Sequence, residues 1–227
     1  MACPTPQSLP NMPQSLASSL AMGSAASPNR RSLLRLALGT SLIAPLASGL
    51  AWAAGEAPVV IGGVSFERGL QLGGQSLVLN GAGARAVLLF KAYAAGLYLR
   101  QPAKTAESVM LQTGAKRLRI HMLLEVASQE FVKAFYQGVE RNFGPEEQKG
   151  LYDRGQKFVA ILQSFGTLAK GDEVLMDQLP GVGMVVTYNG KTTGAPIMGD
   201  DFYAGLLKVF VGDHVADERL RASLLGG

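Results

Sequence analysis

The sequence predicts one α+β domain with an antiparallel sheet. Three observations carry that prediction. Segments with strand-like patterns lie on both sides of a central block whose apolar residues recur at helical spacing. Arg117–Val126 alternates strictly, with Leu118, Ile120, Met122, Leu124 and Val126 on one face and Arg117, Arg119, His121 and Glu125 marking the other. Asn189-Gly190 is a strong two-residue hairpin signal, because a type I′ turn needs positive φ at both central positions.

In chain order, Pro58–Ile61 and Val64–Glu67 read as short strands split by Gly62-Gly63. Gly73-Gly74 turns the chain into Gln75–Asn80, and Asn80-Gly81-Ala82-Gly83-Ala84 reads as a glycine-rich bend. Arg85–Arg100 is nearly all apolar or aromatic. It predicts two strands or one long strand bent near Ala94-Ala95-Gly96, covered on both faces. After the alternating strand, Ser128 is the expected N-cap of a helix bearing Phe131, Phe135 and Val139, with Glu130 in its first turn. Gly144-Pro145 ends that helix, and Glu146-Glu147 opens a second with Phe158, Ile161, Leu162 and Phe165 as its stripe. Glu173–Leu179, Val182–Tyr188 and Lys191–Pro196 are the expected closing strands. A helix follows from Gly199-Asp200-Asp201, and Asp217 caps a last short helix to Leu225.

The N-terminus reads as an address rather than structure. Residues 1–28 carry no charge; Asn29-Arg30-Arg31-Ser32-Leu33-Leu34 then precedes a weakly apolar run to Leu50 and the small-x-small site Ala51-Trp52-Ala53. That order of features describes an export signal, and the paired arginines resemble the twin-arginine type. Residues 1–53 are therefore expected to be removed, leaving a single domain over 54–227 in the periplasm or outside the cell. The alternative is an uncleaved membrane anchor from Leu36 to Ala54, but Gly39, Thr40, Ser41, Pro45, Ser48 and Gly49 dilute its hydrophobicity. Removing the leader takes three arginines and no acid, so the formal charge falls from +4 to +1. With no basic patch left, nucleic acid is not an expected partner. One Cys excludes an internal disulfide and a Cys-based metal site, and two His argue against a metal enzyme; no metal and no cofactor are expected.

Few residues carry chemistry. Gly81-Ala82-Gly83-Ala84-Arg85-Ala86 fits a loose dinucleotide pattern, but a strand-like run follows where a helix is required. His121 is expected to be solvated, His214 to stabilise a turn or helix end, and Asp200-Asp201 to cap a helix. Arg85 is the unusual residue. A guanidinium leading an apolar strand must find an anion or several acceptors, since its charge cannot be neutralised. Tyr93, eight residues on, shares its parity and would share its face if the strand is continuous. A cationic fork and a phenol on one apolar face suit a carboxylate head with an alkyl tail alongside.

The segments Asn80-Gly81-Ala82-Gly83-Ala84-Arg85, Lys91-Ala92-Tyr93-Ala94-Ala95-Gly96-Leu97-Tyr98-Leu99 and Phe202-Tyr203-Ala204-Gly205-Leu206-Leu207-Lys208-Val209-Phe210-Val211-Gly212-Asp213 resemble the chalcone isomerase-like family. The likeness runs from about Val59 to Leu225. It implies an open-faced sandwich: a large antiparallel sheet, a layer of helices and a cleft between them. The family's plant enzymes close a chalcone to a flavanone, using an arginine after the glycine bend together with threonine, tyrosine, asparagine and a further hydroxyl residue. Here Arg85 matches the arginine, Tyr93 stands at the threonine, Phe131 at the tyrosine, Gly138 at the asparagine and Val209 at the last hydroxyl position. Without those groups a substrate ketone loses its hydrogen-bond partners. The family's fatty-acid-binding members pair the arginine with a tyrosine in a Tyr-Ala-x-Gly-x-Tyr segment, which Tyr93-Ala94-Ala95-Gly96-Leu97-Tyr98 matches.

The resemblance thus implies a non-catalytic protein that binds a fatty acid or similar amphipathic carboxylate through Arg85 and Tyr93; the leader adds export, and a monomer is expected. The export machinery would be met through Arg30 and Arg31. The alternatives are an intramolecular lyase or isomerase acting on an enone or phenolic substrate, and a structural or protein-binding module of the cell envelope.

Overall fold

The computed structural model describes residues 56–87 and 90–227. The leader expected over residues 1–53, with Arg30 and Arg31, lies outside the described residues. In chain order the elements are β1 (Val59–Ile61), β2 (Val64–Phe66), β3 (Gly69–Leu72), β4 (Gln75–Val87), β5 (Phe90–Leu99), α1 (Ala106–Leu111), β6 (Lys116–Met122), β7 (Val126–Ala127), α2 (Ser128–Asn142), α3 (Pro145–Ser164), β8 (Thr167–Leu168), β9 (Glu173–Leu179), β10 (Gly183–Tyr188), β11 (Lys191–Thr192), α4 (Asp200–Val211) and α5 (Glu218–Leu224).

Seven strands form one antiparallel sheet in the order β11-β10-β9-β6-β5-β4-β3. The hairpins at its edges are made as the sequence predicts. Asn189 and Gly190 both take positive φ (48° and 79°), as do Gly73 and Gly74 (55° and 74°), so each two-residue turn matches the right-handed twist of its strands.

Alternation along the strands assigns the two faces. On β6, Leu118, Ile120 and Met122 are buried toward the helices, joined from β5 by Ala95, Leu97 and Leu99 and from the helices by Phe135, Phe158 and Phe202. The opposite face of β5 presents Ala94 and Tyr98, which the β1–β2 hairpin covers through Val64 and Phe66. β5 is thus covered on both sides, as its nearly continuous apolar run predicts. The intervening Arg117 and Arg119 of β6 find acids on β9. Arg117 donates through Nε and Nη2 to the two oxygens of Asp177, both at 2.6 Å, and Arg119 Nε donates to Glu173 at 2.5 Å. Tyr203 ties α4 to the sheet by donating its buried hydroxyl to the Met176 carbonyl at 2.9 Å.

Several expectations are corrected. The glycine-rich segment is no bend: residues 80–84 belong to β4, with a register shift between Leu79 and Gly81. Its glycines serve close packing instead, since a Cβ on Gly83 would stand 2.6 Å from the Ser223 Cβ of α5. β5 runs unbroken through Ala94-Ala95-Gly96, where the Phe66 ring lies over Gly96. The alternating strand stops at Met122, because Leu123 and Leu124 both turn their N–H groups to the Ala92 carbonyl, and Leu124 is exposed. The N-cap of α2 is Ala127, not Ser128, because pairing of β7 with β8 keeps Ala127 extended and Ser128 donates its N–H to Gly166. Beyond Thr192 the returning strand narrows to a single bridge between Ile197 and Met184. Three elements have no counterpart in the sequence reading, β3, β8 and α1; the last is capped by a reciprocal Thr105–Ser108 box.

Candidate functional site

Arg85 and Tyr93 face each other directly across the β4–β5 pair. The reason differs from the expected one. They are not two positions of a single strand, for β4 ends at Val87 and β5 begins at Phe90, its partner in register. Cross-strand neighbours share a face, so the hairpin brings the two side chains together as a continuous strand would have done only at long range. Both line a cavity of about 330 Å³ between the sheet and the helices.

Most of the wall is apolar. Ile120, Val174 and Met176 come from the sheet, and Phe135, Phe158 and Leu206 from α2, α3 and α4. Glu130, Lys133 and Arg141 of α2 also line it while being exposed, so the cavity reaches solvent along that helix. The Tyr93 ring lies 5.7 Å from that of Phe131. Burial pushes the Tyr93 hydroxyl up to about 12, the Arg85 charge opposing that rise and the Asp217 carboxylate adding to it. Tyr93 is therefore a hydrogen-bond donor at any ordinary pH.

Asp217 is the member that reading the chain did not supply in this role. It caps α5 as expected, its Oδ1 accepting from the N–H groups of Arg219 and Leu220 at 3.0 Å each. Its other oxygen, Oδ2, lies 3.5 Å from Arg85 Nη1. Only 25% of the Arg85 side chain and 14% of that of Asp217 are exposed. The pair is long and single-ended, and among the described residues Arg85 donates no hydrogen bond, so most of its five donors are unspent. No spacing rule joins residues so far apart in sequence; the packing of α5 onto Gly81 and Gly83 does it.

Phe131, Gly138 and Val209 also line the cavity. Gly138 lets α2 approach α4, since a Cβ there would stand 2.5 Å from Val209 Cγ1. None of the three offers a polar side chain.

The remaining candidates are structural. Asp201 receives both Arg154 Nη groups at 2.7 Å, and Asp200 accepts from Gln178; both sit in the first turn of α4, whose N-cap is Gly199. His214 joins the Asn142 side chain through its backbone, as a helix-end residue would. His121 departs from expectation: it is half-buried, and its Nδ1 lies out of water with no partner among the described residues. Among the described residues no group of three or more His, Cys, Asp or Glu is placed to hold a metal ion.

A family model described as chalcone isomerase-like matches residues 58–226. Comparison with curated proteins found no match. Among solved structures, the chain is similar to the crystal structure of the Arabidopsis thaliana fatty-acid binding protein AtFAP1. The TM-score is 0.53 at 15% identity, covering 72% of this chain and 92% of that one. At that identity the likeness is one of fold.

Proposed function

This chain belongs to the chalcone isomerase-like family, and from that premise we propose that it binds a fatty acid or similar amphipathic carboxylate without turning it over. The observation that carries this reading is the direct pairing of Arg85 with Tyr93 on the wall of a largely apolar cavity. The alkyl chain supplies most of the affinity, at about 0.8 kcal/mol per buried CH₂. Arg85 and Tyr93 orient the head through charge-assisted hydrogen bonds, which are shorter and stronger than neutral ones. Similarity in fold to a fatty-acid binding protein supports the reading.

Native mass spectrometry of the gently purified protein tests it, with Arg85→Ala alongside. A co-purifying fatty-acid mass that the variant loses is the expected result; unchanged lipid affinity in Arg85→Ala sinks the role of the arginine. The lyase or isomerase alternative keeps Arg85, but Phe131, Gly138 and Val209 offer a substrate no polar side chain. Turnover of a chalcone panel, lost in Arg85→Ala, would revive it. The reading as a purely structural module has a cavity of about 330 Å³ against it.

We also propose that the protein is exported and acts as a monomer. Export rests on Arg30-Arg31 and the apolar run that follows; no described helix is long and apolar enough to cross a membrane. Replacing Arg30 and Arg31 by lysine should retain the protein in the cytoplasm on fractionation, and light scattering should give a monomer mass.

A further inference from the structure

Any carboxylate that reaches Arg85 meets a carboxylate already there. Asp217 Oδ2 stands 3.5 Å from the guanidinium, while Oδ1 is committed to two backbone N–H groups of α5. The side chain therefore cannot swing out of the site without surrendering the helix cap. An arriving anion would leave two negative groups on one cation within a few ångströms, in a cavity whose walls are mostly apolar. Two carboxylates on one guanidinium in an apolar site repel each other, which favours keeping one proton between them.

Among the described residues, Arg141 of α2 is the one other cation that lines the cavity without a salt bridge, and it lies exposed. β4 contributes Arg85 as its one ionisable residue. β5 contributes Tyr93, which is a neutral donor; Lys91 is exposed and Tyr98 belongs to the opposite face. Asp200, Asp201, Tyr203 and Lys208 of α4 do not line the cavity. On α2, Glu130 and Lys133 pair with each other at 2.7 Å, and Arg141 is exposed. On the far side of Asp217, Arg221 is shared between Asp213 and Glu218 at 3.6 Å each.

Resting on the binding reading above, we propose that Asp217 makes the site selective for a head of zero net charge: a fatty acid enters together with one proton, held between its carboxyl group and Asp217. The same three groups then complete one another. Arg85 and Tyr93 donate, Asp217 accepts, and a head that both donates and accepts fits between them. A long-chain alcohol or amide meets that description without any proton.

The test is isothermal titration of the full chain with decanoate and with decanol, between pH 6 and pH 8, in buffers of different ionisation enthalpy. Free decanoate is ionised throughout, its carboxyl titrating near the ordinary value of about 4. The wild type should take up about one proton per decanoate bound, and its affinity should fall about tenfold per pH unit. Decanol should bind with no proton uptake and no pH dependence. Asp217→Asn, which keeps a capping side chain, should bind decanoate more tightly with no proton uptake; Asp217→Ser repeats the test with a second capping residue. Decanoate binding by the wild type without proton uptake overturns the proposal and leaves the binding reading standing. Absence of binding in every protein at every pH overturns both.

Discussion

Gly138 of α2 lies against Val209 of α4 so closely that a Cβ on the glycine would stand 2.5 Å from one Val209 methyl and 2.7 Å from the other. Two positions that the family resemblance sets against polar side chains of its enzymes are here a single apolar contact. Gly138→Ala would gain up to about 1 kcal/mol of helix propensity, but it forces a stiff β-branched side chain to move, at about 1–3 kcal/mol. The expected net effect is a loss of about 1–2 kcal/mol in urea denaturation. Adding Val209→Ala to the same chain should recover most of the clash. Equal stability of Gly138→Ala and wild type would mean that α2 and α4 are not closely packed.

Tyr93→Phe should weaken decanoate binding about two- to tenfold, the magnitude of one neutral hydrogen bond, while leaving neutral-pH stability nearly unchanged. Fluorescence displacement in both proteins reads this directly. An unchanged Kd would remove Tyr93 from the head-group site.

The same tyrosine gives a pH signature. Its hydroxyl titrates near 12 in the folded protein because of burial, against an ordinary value of 10. A raised folded-state value means the contribution to stability is complete below pH 10 and is lost as pH rises toward 12. The urea midpoint of the wild type should therefore fall across that window, where Tyr188 and Tyr203 are raised too. In Tyr93→Phe the fall should be shallower, and an identical slope would contradict the burial of this hydroxyl.

Asp177→Asn should be the most damaging single surface-to-sheet change. Asp177 is 6% exposed and takes both donors of Arg117, so its loss leaves a partly buried guanidinium without an anion. A cost of about 3–5 kcal/mol is expected. For a domain of this size that is on the order of 6–20 °C in Tm. The double replacement Arg117→Met with Asp177→Leu should cost much less than the single change, because no charge is then stranded. Thermal unfolding of the wild type and the two variants gives the answer, and a double replacement as costly as Asp177→Asn would refute the pairing.

How much of this could be read from the chain depended on the range of the interaction. Glu173–Leu179 was legible to the residue, and Asn189-Gly190 announced its turn, because alternation and turn chemistry are local. Parity puts Arg85 and Tyr93 on one face if the strand is continuous, whereas the structure achieves it across two paired strands. The face was legible and the connection was not, since the apolar run has no polar break to mark the turn. Asp217 was legible as a cap, because capping is a relation to the next three residues, but not as the partner of Arg85, which depends on where α5 comes to rest. The six-residue α1 was too short to show a stripe, although Thr105 and Ser108 carried its capping signal.

The seat of α5 has one more consequence. The helix rests on Gly81 and Gly83, and Asn80 Nδ2 donates to the carbonyls of Ala103 and Leu224 at 2.9 and 2.7 Å. Synthesis runs from the N-terminus, so β4 and β5 exist long before the segment that brings Asp217 to Arg85. Until α5 docks, Arg85 lacks this acid and the cavity lacks the wall that Asp217 and Leu220 supply. Acid and wall thus come to the arginine together, carried by one short helix.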